Sequence, residues 1–425
     1  MKKITFFLSL SLFSLFNGIA QEFSLDADLR QRFEYRHGFS TLFPDDADPA
    51  AFVRQRARLN FKYSAEKLDV FVAVQDVSTW GDTRQILPVD GNDSFMLFQA
   101  WAELFLSENW STKLGRQVIA YDDQRIFGGL DWAMQGRFHD AALLKYKKKD
   151  FQLDLGFAFS QQGESILGTT YTVPGFFTYK TMQYGYFKKT WEKSSISVLA
   201  LNTGFQRFDA SDAAVADGVY YTQTVGSYFT FPIGAVKVSG SAYYQFGDAY
   251  PVDQTLSAYQ VALGATYKAG SALLGVGAEL LSGSDQGSTE RQSFFPLYGT
   301  NHKFNGFMDY FYVGNHANAV GLNDVNAKAV FKTGERSTLL TALHYFASNA
   351  SLAGDADKYL GTELDVVYTQ PLIKNVKLQL GYSHMFASES MSLIKGGTTS
   401  SNTNNWGWAM LVINPNLFKY NLEKL

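Results

Sequence analysis

The sequence predicts an all-β chain: a transmembrane, antiparallel, up-and-down β-barrel of about eighteen strands. Three observations lead there. Polarity alternates at every second residue in one segment after another. Short turns and long polar loops take turns along the chain. The first twenty residues read as an export signal.

The alternation is clearest from Phe151 to Ser160, where the odd positions are large and apolar and the even ones polar or small. Successive side chains of a strand point to opposite faces, so one face wants oil and the other water or close packing. Phe23 to Arg36 repeats the pattern, with Phe23, Leu25, Leu29, Phe33 and Tyr35 opposite Asp26, Asp28, Arg30, Arg32, Glu34 and Arg36. In a membrane barrel the apolar face meets lipid and the polar face lines a lumen.

At the N-terminus, Lys2 and Lys3 precede an apolar run from Ile4 to Phe16, and Gly18-Ile19-Ala20 offers a small-x-small cleavage site. This is the layout of a secretory signal peptide over residues 1–20, leaving 21–425 as a single barrel domain. The apolar run is short for a spanning helix, which needs ~20 residues.

Short turns are predicted at Ser64–Lys67, Ser107–Asn109, Lys147–Asp150, Glu192–Ser194, Pro232–Gly234, Ala269–Ser271, Thr333–Glu335 and Pro371–Lys374. Each carries Gly, Pro, Ser, Asp or charge. Long polar stretches lie near 37–50, 78–94, 119–137, 161–176, 204–217, 247–256, 282–325, 347–357 and 387–404. Nine long loops and eight turns make seventeen connections, which join eighteen strands. An even count with short periplasmic turns and long outer loops is the bacterial pattern, and it puts both termini in the periplasm. Tyr63, Tyr146, Trp191, Phe231, Tyr267, Phe331 and Tyr368 stand just before turns, as an interfacial belt would. The last clear strand is Trp406 to Ile413; the tail 414–425 either tucks into the lumen or extends that strand.

Aromatics make up 16% of the chain and cysteine is absent, so an exported fold closes on its own hydrogen-bond ladder. Mean hydropathy is -0.14, as expected when half of each strand faces water.

Ten of the thirteen arginines lie before residue 140. Arg54, Arg56 and Arg58 fall at strict period two, and Arg30 and Arg32 occupy the same kind of face on the preceding strand, so antiparallel pairing brings the two rows together. A charged row facing lipid costs ~2–4 kcal/mol per residue at the midplane, which sends it to the lumen. Two roles fit it there. It forms a track for an anionic solute, because guanidinium groups fork onto carboxylate or phosphate. Or it braces the wall against the acidic lumenal partners Asp26, Asp28, Glu34 and Glu103.

Other chemistry is weakly signalled. Asp45-Asp46-Ala47-Asp48 and Asp90-Gly91-Asn92-Asp93 lack an EF-hand spacing. The histidines form no H-E-x-x-H pair, no G-x-S-x-G elbow occurs, and no S-x-x-K serves as a nucleophile motif. The expectation is no enzyme, no metal, no cofactor and no nucleic-acid partner.

Gly115-Arg116-Gln117, Tyr121-Asp122-Asp123-Gln124-Arg125-Ile126-Phe127-Gly128, Asp131-Trp132, Gly136-Arg137 and Asp140-Ala141 resemble the alginate export family of outer-membrane barrels. So do Arg54-Gln55-Arg56-Ala57-Arg58-Leu59, Gln75-Asp76-Val77 to Trp80-Gly81, and Gln99-Ala100-Trp101-Ala102-Glu103-Leu104. Phe294 to Asp309 looks like a loop of Bacteroidetes-type members. The resemblance implies a monomeric eighteen-stranded barrel with an arginine-lined constriction that passes a polyuronate. It nominates Arg58, Arg116, Arg125 and Arg137 as constriction residues beside Arg30, Arg32, Arg54 and Arg56. Loops 119–137 and 282–325 are long enough to fold inward. The expected function is a passive, anion-favouring outer-membrane porin for anionic sugars or polyuronates. A general diffusion porin, or a plugged barrel with a surface role, fits the same strands.

Overall fold

A computed structural model describes residues 21–86, 94–173, 178–209, 211–212, 215–316, 319–395 and 401–422. The predicted signal peptide, the acidic run Asp90–Asp93 and the last three tail residues lie outside the described residues.

The strands are β1 (Gln21–His37), β2 (Ala50–Ala65), β3 (Leu68–Thr79), β4 (Met96–Phe105), β5 (Trp110–Gln117), β6 (His139–Lys148), β7 (Phe151–Phe159), β8 (Thr181–Trp191) and β9 (Ser194–Phe208). They continue as β10 (Ala216–Ile233), β11 (Val236–Asp248), β12 (Thr255–Ala269), β13 (Ala272–Leu281), β14 (Leu322–Lys332), β15 (Thr338–Ala347), β16 (Tyr359–Ile373), β17 (Val376–Ala387), β18 (Asn404–Ile413) and β19 (Asn416–Leu422). From β1 to β18 each pairs antiparallel with the next, and β18 returns to pair with Leu29–His37 of β1.

The ring is completed in two pieces. Asn414 and Pro415 interrupt the last strand, and β19 then pairs with Gln21–Asp26 of β1. Proline has no N–H to give a ladder, but the Pro415 carbonyl accepts the Ala27 N–H at 3.0 Å. The tail therefore extends the last stave. β18 and β19 act as one, and the barrel has eighteen staves.

The outward face is the apolar one. Phe157 and Phe159 of β7 are 54% and 57% exposed, while Asp154 and Ala158 on the opposite face are buried. All seven aromatics before the turns share the outward parity of their strands. Several turns need a left-handed residue to reverse the chain in two steps: Lys149, Glu192, Gly234, Gly270 and Asn375 supply it.

Candidate functional site

The β1–β2 register places Arg30 opposite Arg56, Arg32 opposite Arg54 and Asp28 opposite Arg58, all on the lumenal face. Like charges directly opposite one another are unfavourable, and interleaved carboxylates relieve this. Glu34 accepts from Arg32 and Arg36, each at 2.8 Å. Asp28 accepts from Arg30 at 3.0 Å and also binds Arg56.

The remaining partner comes from a loop. Residues 118–138, between β5 and β6, fold back into the barrel and lie against this patch. Asp131 receives Arg30 at 2.6 Å, Arg56 at 3.1 Å and Arg58 at 3.8 Å. Backbone carbonyls add to the hold: Arg32 donates to Trp132 O, Arg56 to Met134 O, and Gln75 to Gln135 O. Arg32 also lies 4.2 Å over the Trp132 ring, and Arg58 lies 3.8 Å over Phe98.

A second infolded loop, 282–321 between β13 and β14, meets the first inside the barrel. Phe127 and Tyr298 form a parallel bridge, Gly128 N–H donates to Tyr298 O, and Thr300 N–H to Gln124 O, both at 2.9 Å. The backbones approach closely: a Cβ on Gly299 would lie 2.2 Å from Arg125 O, so only glycine fits. His302 stacks on Trp132 with centroids 4.6 Å apart. Trp132 in turn packs on Trp408 at 4.9 Å.

The model of the alginate export family matches residues 21–404. The chain belongs to the alginate export family.

The fold of this alginate-export barrel is shared with solved porins. OpdK of Pseudomonas aeruginosa aligns with TM-score 0.62 at 11% identity, covering 94% of this chain and 99% of that one. OccAB1 of Acinetobacter baumannii aligns with TM-score 0.61 at 15% identity over 93% and 97%. A BenF-like porin of Pseudomonas fluorescens Pf-5 gives 0.60 at 14% over 93% and 99%. No curated protein matches. Family and fold put the barrel in the outer membrane, in contact with lipid, as a channel.

In this alginate-export barrel the nominated residues separate into three groups. Arg30, Arg32, Arg54, Arg56 and Arg58 form the β1–β2 patch. Arg125 and Arg137 ride on the first infolded loop but face elsewhere: Arg125 donates to Glu279 at 2.7 Å and Asn305 at 3.0 Å, and Arg137 stands 5.9 Å over Tyr298. Arg116 differs from expectation. It shares the outward face of β5 with Trp110 and Leu114 and forks onto Asp140 of β6 at 2.9 and 3.0 Å. It is no lumenal residue, and the alternation Trp110, Thr112, Leu114, Arg116 already carried that signal. Of the acidic nominees, Asp28 and Glu34 pair with arginines. Asp26 instead binds Asn416 at 2.8 Å, and Glu103 binds Lys145 and Ser111, each at 2.7 Å. No role was expected of Asp131, Trp132, Trp406 or Trp408. Asp131 and Trp132 are marked in the sequence only as part of the family-like motif.

Above the lumen, the helix Glu389–Lys395 contacts the second loop. Lys395 Nζ donates to Asn315 O at 3.0 Å and His316 Nδ1 at 3.3 Å, near Phe311. Burial lowers the Lys395 ammonium from 10.5 to about 7. Burial and the adjacent Lys395 charge hold His316 down to about 3, so it stays a neutral acceptor. A lysine depressed in the docked state binds fewer protons there than when released. Docking is therefore strongest above 10.5, weakens as pH falls to about 7, and is flat below. Hydrogen exchange of 313–316 and 389–395, corrected for intrinsic rates, is expected to show protection rising between pH 7 and 10. Lys395→Met is expected to remove that dependence, and a slope surviving in the variant would assign it to another group.

Proposed function

We propose that the barrel is a passive, anion-favouring channel, acting as a monomer, that admits anionic sugars or polyuronates along the β1–β2 arginine patch. One observation carries the reading. Five guanidinium groups (Arg30, Arg32, Arg36, Arg56 and Arg58) share the three carboxylates of Asp28, Glu34 and Asp131, and Arg54 on the same face brings the excess to three positive charges. Arg54 faces the lumen with no ion pair or side-chain hydrogen bond among the described residues. Charged rings set selectivity in pores, and passage needs contacts weak enough to release. A loosely held cation on a braced wall meets both needs.

The test is the reversal potential of the protein in a planar bilayer across a KCl gradient, followed by addition of oligouronates. Anion preference with uronate block supports the reading. Arg54→Gln is expected to lower the anion-to-cation permeability ratio by roughly twofold to fivefold, the effect of one charge acting through water at ~4–10 Å, and to leave thermal stability unchanged because no partner is lost. An unselective wild-type pore would leave the arginines as bracing alone. Absence of current would favour a barrel plugged by its two infolded loops.

A further inference from the structure

The turn-side mouth of the lumen contains a cavity of about 550 Å³ that the arginine patch only borders. Strand register orders its wall. Arg30 of β1 stands beside Val412 of β18, which stands beside Lys377 of β17. One row further in, Arg32, Met410 and Gln379 stand side by side in the same way. The lumenal face of β18 is thus an apolar strip with a cation on each side at the mouth. Trp132 covers the inner end of the cavity, and Pro371 adds apolar surface at the rim. Lys377 is exposed and makes no ion pair or hydrogen bond among the described residues. Asp131 borders the same cavity and is already held by Arg30, so a carboxylate on a guanidinium beside the Trp132 indole is a geometry this wall supports.

These walls suit one kind of anion better than another. A uronate ring carries hydroxyls around its edge, and laying them on Met410, Val412 and Trp132 would strip their water without replacing its hydrogen bonds. An anion with an apolar body gains from the same contact. The volume lies within the range of small-molecule sites, ~300–1,000 Å³.

We propose that this cavity binds small carboxylates with an aromatic or branched-alkyl body, the carboxylate meeting Lys377 and the body lying on Met410, Val412 and Trp132. The inference rests on the channel reading and narrows its solute class at the turn-side mouth.

Benzoate and glucuronate carry the same single charge at pH 7 and differ in the body. Each is titrated against single-channel current from the turn side, and in parallel against tryptophan fluorescence of the detergent-solubilised protein, which reports occupancy beside Trp132 even without current. Benzoate is expected to act at about tenfold lower concentration than glucuronate, equivalent to ~1.4 kcal/mol. Val412→Thr and Met410→Gln, which give the strip polar groups, are expected to bring that ratio toward one; Lys377→Gln is expected to weaken both acids alike. Equal potency of the two acids, or a benzoate preference that survives both strip variants, would overturn the inference. The KCl reversal potential keeps the two readings apart. An anion-favouring pore with equal potencies sinks this cavity's role alone, whereas an unselective pore sinks the arginine reading while the potency ratio still judges the cavity.

Discussion

Replacing Arg56 by alanine is expected to unseat the first infolded loop. Arg56 is completely buried, binds Asp28, and donates to Asp131 at 3.1 Å and Met134 O at 3.2 Å. Removing one partner from a buried ion pair costs ~3–5 kcal/mol, because the other charge stays behind uncompensated. Here Asp28 would keep only Arg30, and the loop would lose two of its anchors. Limited proteolysis of the detergent-solubilised protein should then cut within 118–138, where the wild type resists, and single-channel records should become noisier. Unchanged resistance would mean that the bridge between Phe127 and Tyr298 holds the loop by itself. The two substitutions differ in what they remove: Arg56→Ala deletes a charge and two loop anchors, Arg54→Gln a charge alone.

Replacing Asp131 by asparagine should move selectivity the opposite way. The carboxylate sits among Arg30, Arg56 and Arg58 and its side chain is 59% exposed to the lumen. Asparagine keeps the shape and one acceptor oxygen but deletes the charge, raising the local excess from three positive charges to four. The anion-to-cation permeability ratio is expected to rise, again by roughly twofold to fivefold, and the effect should shrink in high salt as screening shortens the reach of the patch. Reversal potentials at two ionic strengths measure both. A ratio that does not move would place the selective step away from these arginines.

Much of this was legible in the sequence because a strand has the simplest period available. Phe151–Ser160 and Phe23–Arg36 reveal inside and outside directly, and the period-two arginines could be assigned to the lumen by the cost of putting them in lipid. The same parity puts Arg30 and Arg32 beside the row of Arg54, Arg56 and Arg58 on the next strand, without fixing which residue faces which. The infolded loops were less accessible. Nothing local marks Asp131 as the partner of three arginines about seventy to a hundred residues earlier, since that contact depends on where the barrel wall brings the loop. Trp406 and Trp408 alternate with small or polar residues like any lipid-facing pair, yet they point inward. With aromatic groups able to serve either face, alternation says that two faces exist and not which is which. Arg116 is the reverse case: it belongs to a motif of the family, but its parity with Trp110 and Leu114 puts it on the outward face of β5.

The place where Trp132 rests has a consequence for the order of assembly. Its ring lies against Arg32 of β1 on one side and Trp408 of β18 on the other, and β1 and β18 are the first and last staves. Before those two edges meet, Trp132 has only half a seat. The loop therefore fastens across the seam like a clasp, and a clasp closes only on a finished ring. During biogenesis Asp131 can meet Arg30, Arg56 and Arg58 while the sheet is still open, since all three stand on β1 and β2, and the ring of Trp132 gains its second wall only when the last edge arrives.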